Sequence, residues 1–137
     1  MNADIPVINL LANGEAGLYA GGSGMGVARV FPGDLPQSEN FPMICVDLFD
    51  AEAFDTKSGT AWSDDEIVKV FNYDEDVLGV KTMAKASRNT LDGVSRTTAG
   101  GETVYYIRYL RTDSYSILMT NRKVYVREQD YQVRIKV

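Results

Sequence analysis

Histidine is missing altogether from this sequence of 137 residues. Its absence excludes Ser-His-Asp and Cys-His nucleophile activation, imidazole acid/base work and every zinc site built on imidazole. Cys45 is the only cysteine, so no intramolecular disulfide can form, and a buried, inert thiol is the expected role. Base is in short supply too. Against 19 Asp and Glu stand 14 Lys and Arg, a net charge of −5, and the field of the whole molecule disfavours a nucleic-acid backbone. No apolar run approaches the roughly 18 residues of a membrane-spanning helix, and residues 1–4 hold an acid where a secretory leader begins with bases. These shortages predict a soluble, non-enzymatic chain without cofactor or metal, made in the cytoplasm, whose contacts with polyanions are confined to a local basic surface.

What is present is enough apolar material, 45% of residues, for one core in a single domain spanning 1–137. Ile5, Ile8, Leu11 and Ala12 recur at helical spacing behind Asp4 as N-cap and Pro6 in the first turn, and Asn13-Gly14 ends the segment. Six glycines from Gly14 to Gly26 predict a flexible loop. A phosphate-binding turn would follow a strand, open a helix and need a lysine or a fixed glycine spacing, none of which is met.

Residues 28–31 read as a short strand stopped by Pro32-Gly33. Along residues 41–49 apolar side chains occupy both parities, Phe41, Met43, Cys45 and Phe49 on one and Ile44, Val46 and Leu48 on the other. Such a strand is expected to be covered on both sides, by a helix on one and by something else, another subunit among the alternatives, on the other. A polar connection over residues 55–63, holding Trp62, separates it from a strand at Ile67, Val68, Val70 and Phe71, the pattern of a long hairpin. Asp74 and Asp76 suit a helix N-terminus, Val77, Val80, Ala84 and Leu91 supply its apolar stripe, and Asp92-Gly93 stops it. The last third reads as strands at 103–111, 115–119 and 123–137, with a turn at Asn121-Arg122. Val124 and Val126 lie on the opposite parity from Tyr131, Val133 and Ile135, which predicts a bulge or bend near residues 128–130. The fold class expected is α+β: a mainly antiparallel sheet of four to five strands, two helices on one face and a long hairpin.

Several clusters have a chemical reading beside a plain one. Asp74, Asp76 and Gly79 match a calcium loop, but Leu78 and Lys85 occupy the places of two of its ligands, so helix capping is preferred. Asp64, Asp65 and Glu66 could meet Asp47 or Asp50 across strands, although a solvated acidic surface explains them as well. A small metal-dependent enzyme using Asp47, Asp64 and Asp65 is therefore an alternative function. Lys81, Lys85 and Arg88 form a basic stripe opposite the apolar face of the second helix, either a solvated face or a surface for a channel or an acidic partner. Tyr105, Tyr106, Tyr109, Tyr115, Tyr125 and Tyr131 crowd the last third, as sheet surface or as interface.

The order of these pieces resembles the tail-completion or tail-terminator proteins of tailed bacteriophages and their prophage relatives. The likeness runs through Arg29-Val30-Phe31-Pro32-Gly33, Pro36-Gln37 and Phe41-Pro42-Met43-Ile44-Cys45-Val46, then the polar turn Asp55-Thr56-Lys57-Ser58-Gly59. It continues with a helix ending in Asn89-Thr90-Leu91-Asp92-Gly93 and closes on the strand that starts Lys123-Val124-Tyr125-Val126-Arg127. The resemblance covers about residues 28–137 and implies a structural virion protein of the tail or neck. It implies a homo-oligomeric ring, a hexamer favoured, that terminates the tail tube and joins tail to head, with tail-tube and head-completion or neck proteins as partners. DNA would meet it only as the passing genome, and no membrane is involved. A neck or connector ring, or another partner-binding module, is the alternative within the same class. Lys57, Trp62 and Tyr115 are the residues expected at an oligomer or partner interface, and Lys81, Lys85 and Arg88 on a channel or acidic-partner surface. The connection holding Lys57 is expected to order only against another subunit, with Trp62 either burying itself there or packing on its own sheet.

Overall fold

The computed structural model describes residues 3–17, 19–20, 29–33, 41–54, 63–119 and 121–136, with 50–54, 63 and 64 described through the backbone alone. The elements follow in the order α1 (Asp4–Asn13), α2 (Glu15–Gly17), β1 (Val30–Pro32), β2 (Met43–Phe54), β3 (Ser63–Asp74), α3 (Val77–Leu91), β4 (Ser95–Ala99), β5 (Glu102–Met119) and β6 (Arg122–Lys136). The strands form one six-stranded sheet in the order β1-β2-β3-β6-β5-β4. The expected α+β class and the long β2–β3 hairpin are present, but the sheet is larger than the expected four to five strands. Two signals were too weak to read. Residues 95–99 run Ser-Arg-Thr-Thr-Ala, a strand held by pairing to β5 and without an apolar face of its own. The segments expected at 103–111 and 115–119 are one long strand, because polar Thr112 to Ser114 stay paired to β6. Among the described strands, β1 against β2 is the parallel pair.

The helices pack on one face of the sheet. In α1 the side chains that reach the core are Val7 and Leu11, with Pro6, while Ile5 stays 40% exposed, so the buried stripe is rotated from the expected one. Asp4 is the first helical residue, and its side chain makes no capping bond. The N-terminus is held from the sheet instead. Glu66, fully buried on β3, accepts the Ala3 amide at 2.6 Å, supplying a carboxylate where the helix dipole and its unpaired amides favour one. Glu66 is thus not part of a solvated acidic surface; it anchors α1 to the sheet.

The third helix starts and stops where its sequence says. Asp76 accepts the Leu78 and Gly79 amides, a cap of about 1 kcal/mol, and Gly93 turns the chain away with φ of +84°. A Cβ at Gly79 would run into the Asp74 carboxylate, which explains the glycine that mimics a calcium loop. Burial, opposed by bonds from the Asp76 and Glu75 amides, holds the Asp74 carboxyl above its ordinary 3.8. A carboxyl raised in this way keeps its proton longer in the folded chain than in the unfolded one. The stability it contributes is therefore present below 3.8 and is lost as pH rises through the folded value. Asp74→Asn should flatten that stretch of the profile, which urea midpoints taken across the acid range would show; an unchanged slope would contradict it.

Two apolar clusters lie on opposite faces. On the helix face Ile44, Val46, Val68, Val70, Val104, Ile107, Tyr131, Val133 and Ile135 meet Val7, Leu11, Met83 and Leu91. On the other face Met43, Cys45, Tyr73, Val124 and Val126 are buried under Phe31, Phe41, Phe71, Ile117 and Met119. The sheet curls there: the Arg122 guanidinium, at the start of β6, lies 5.4 Å from the ring of Phe41, which leads into β2 two strands away. Met43 and Cys45 on the second parity of β2 are thus covered within one chain and do not require a subunit, while Phe49, further along the strand, is 64% exposed. The same arrangement corrects the expected bulge in β6. That strand keeps unbroken register with β3 over residues 125–136. Its apolar residues change parity because they serve different cores, Val124 and Val126 the open face and Tyr131, Val133 and Ile135 the helix face. The register shifts fall in β5, between Val104 and Tyr106 and between Tyr109 and Arg111, and in β2 between Leu48 and Asp50.

Candidate functional site: a basic groove between α3 and the sheet

A buried polar network fixes α3 against the sheet. Asn72 on β3 donates to the Arg127 carbonyl at 3.0 Å and to Gln129 Oε1 at 3.2 Å, and accepts from the Ser87 hydroxyl at 2.8 Å. Gln129 donates to the Ala84 carbonyl at 2.9 Å and accepts from the Tyr131 hydroxyl at 3.1 Å. Ser87, Asn72 and Tyr131 are fully buried and Gln129 nearly so, and burial pushes the Tyr131 phenol far above its usual range. A satisfied network of this kind sets one rotation of the helix, where apolar packing alone would tolerate several.

That rotation lines up a groove of about 530 Å³ walled by Lys81, Ala84, Lys85 and Arg88 from α3 and by Tyr109, Thr112, Arg127 and Gln129 from β5 and β6. The three cations of the helical stripe are therefore brought together, and Arg127 joins them from the sheet. Arg88 lies with its guanidinium carbon 3.8 Å from the Tyr109 ring centroid, and Tyr109 packs edge-on against Tyr131 at 5.8 Å. Among the described residues its acid partner is Asp92, 3.8 Å away, with both side chains well exposed, so that pair holds little energy. Among the described residues Lys81, Lys85 and Arg127 form no ion pair. Lys81 and Lys85 are like charges at i, i+4, an arrangement that costs an isolated helix about 0.2–0.5 kcal/mol. In a chain of net charge −5, four cations gathered with one weak acid partner form the local basic surface that composition alone leaves open. An anionic group placed in the groove would relieve the repulsion. Arg127 was not singled out in the sequence, although it shares parity with Gln129 and Tyr131; the expected bulge hid that shared face.

The open face is ionic where it is not apolar. Lys69 lies 3.4 Å from Glu128 and 3.5 Å from Asp130, Arg111 reaches Asp130 at 3.2 Å, and Arg134 grips Asp65 through two bonds of 2.7 Å. Asp65, one of the suspected metal ligands, is thus committed to arginine, which in turn is held more firmly protonated by it. Asp65 and Glu66 point to opposite faces, and Asp47 is paired in register with Lys69. Among the described residues no three His, Cys, Asp or Glu side chains gather in ligating geometry. Cys45 is a buried thiol. Tyr115 stands apart from the groove on β5, 43% exposed, with its hydroxyl 3.5 Å from Glu128; burial first, and then Glu128, raise its phenol pKa. Lys57, Trp62 and the glycine run at 21–26 lie outside the described residues. No described helix is long and apolar enough to cross a membrane.

The sequence matches no protein-family model and no curated protein. Among solved structures the fold is similar to a chain in the virion of a native gene transfer agent particle, with a TM-score of 0.66 at 14% identity. The superposition covers 98% of this chain and 95% of that one, so the likeness takes in the whole fold, helices and both faces of the sheet.

Proposed function

We propose that this chain is a structural subunit of a phage-like virion, and that copies of it form a homo-oligomeric ring, six favoured, which ends the tail tube and joins tail to head. The observation that carries the reading is the end-to-end likeness of fold to a chain of a virion particle, with almost nothing left over in either chain. The sequence likeness to tail-terminator proteins supplies the place in the particle. In this reading the chain is not an enzyme, its neighbours are the tail-tube protein and the head-completion or neck proteins, and the groove of Lys81, Lys85, Arg88 and Arg127 faces either the passing genome or an acidic neighbour. A connector ring elsewhere in the neck would use the same surfaces with a different copy number.

Electron microscopy of the purified protein and of the particle that contains it tests the reading directly. Closed rings at the tail end of the head–tail junction are expected, and a protein that stays monomeric at high concentration and is absent from the junction would overturn it. The groove has its own readout in the same assay. Lys81, Lys85 and Arg88 are exposed, so replacing all three with glutamine should move the thermal midpoint by no more than about 5 °C, mostly through the Arg88 stack on Tyr109, while reducing completed particles at least tenfold. Normal assembly by that variant would make the stripe a solvated face.

A further inference from the structure

Among the described residues the sheet has two long edges with no strand beside them. On β5, pairing with β4 ends at Tyr106, and the last outward bonds are those of Ile107 with Gly93 and Val94 and of the Tyr109 amide with Asp92. From 110 to 119 the outer edge has no strand beside it among the described residues. On β2, β1 pairs with Ile44, Cys45 and Val46, and among the described residues no strand pairs with 47–54 on that side. Edge strands are ordinarily blunted by shortness, lysine and other charges, proline or β-bulges. Each stretch has one bulge near its start and a few charges, but both are long and neither contains lysine or proline. Two of the most exposed large apolar side chains in the molecule sit on these edges, Leu118 at 85% on β5 and Phe49 at 64% on β2.

We infer that copies of this chain join edge to edge, with residues 110–119 of β5 adding to residues 47–54 of β2 in the next copy. The inference rests on the self-assembly reading above and names its interface. Three features choose this pairing over others. The strands β2, β3, β6 and β5 alternate in direction, so β2 and β5 run antiparallel, and a second copy in the same orientation continues the sheet in antiparallel register. Charge excludes the symmetric alternative at one edge: Asp47, Asp50 and Glu52 give β2 acids without a base, and β2 against β2 would set like charges opposite each other. The β5 edge, with Arg111 bonded to Asp113 at 2.8 Å, is close to neutral. Finally, the two free stretches lie at opposite ends of the sheet, because Tyr115 is level with Val126, Tyr73 and Met43, whereas Ala53 is level with Asp64, Ile135 and Val104. Joining them offsets neighbouring copies by about six to seven residues, roughly 20 Å along the strands. A head-to-tail contact of this kind closes into a ring when its rotation permits, with strands tilted to absorb the offset.

Cysteine pairing tests it, since Cys45 is buried and stays silent. Phe49→Cys is combined in turn with Thr112→Cys, Ser114→Cys and Ser116→Cys, and native mass spectrometry of the unaltered protein runs alongside. On mild oxidation at least one double variant should give a ladder of covalent multimers in denaturing gels, with every single variant monomeric. Leu118→Lys, at a site with almost no packing to lose, should weaken association by about tenfold or more with an unchanged thermal midpoint. Oligomers by native mass without any cross-link in the three pairings, or covalent dimers from a single β5 cysteine, would overturn the interface and leave the ring reading standing. A monomer under all conditions would overturn both.

Discussion

Asn72→Ala should destabilise the chain by about 3 kcal/mol, seen as a lower denaturant midpoint at unchanged slope. The side chain is fully buried and occupies the centre of the network, with donors to the Arg127 carbonyl and Gln129 and an acceptor for Ser87. Removing it deprives three buried groups of a partner at once, and each such loss costs about 1–3 kcal/mol, offset in part where a remaining bond survives, as Gln129 keeps the Ala84 carbonyl and Tyr131. Asn72→Asp separates charge from shape. It keeps the acceptor for Ser87 but gives up both donors and brings a charge into a site without a cation, so near neutral pH it should be at least as damaging. A loss below 1 kcal/mol for alanine would mean that water fills the site and that apolar packing alone orients α3. The network also has a functional consequence, because the groove exists only while α3 keeps its rotation. Variants at Asn72 that still fold should therefore lose assembly together with the Lys81, Lys85 and Arg88 triple.

How much of this was legible follows from which forces act locally. The α3 helix could be read from end to end, since its cap, its stripe at three- and four-residue spacing and its glycine stop all lie within the segment. The β2–β3 hairpin was legible because its two apolar runs are adjacent in the chain. What escaped depends on partners far away in sequence. Strand β4 exists through its pairing with β5, and Glu66 looked like one acid among three until β3 placed it beneath the first turn of α1. The basic stripe was visible on the helix, but Arg127 belongs to the same groove only because β6 keeps its register with β3 through residues 128–130, where a bulge was expected. A single parity rule, one apolar face per strand, produced both that error and the expectation of a covering subunit. Strand β6 instead changes core without changing face order, and a curled sheet covers its own second side.

Met43→Ala separates these two accounts of the second face. If the open face of β2 waited for a partner, Met43 in the isolated chain would face water and its truncation would cost little. In this fold Met43 is fully buried with Cys45, Tyr73, Val124 and Val126, roofed by Phe31, Phe41, Phe71, Ile117 and Met119. Losing most of a side chain from such a cluster removes its transfer energy and leaves a cavity, together about 2–5 kcal/mol. The measurement belongs at a dilution where native mass shows only monomer, so that no neighbouring copy contributes. Phe49→Ala is the control: it lies on the same strand, is 64% exposed, and should cost the monomer well under 1 kcal/mol apart from its contact with Lys69. At assembly concentrations the order should reverse, with Phe49→Ala impairing association through the β2 edge and Met43→Ala acting only through stability. A dilute monomer that tolerates Met43→Ala at less than about 0.5 kcal/mol would return this face to a missing subunit. A loss near 3 kcal/mol would place the second core around Met43 within the chain.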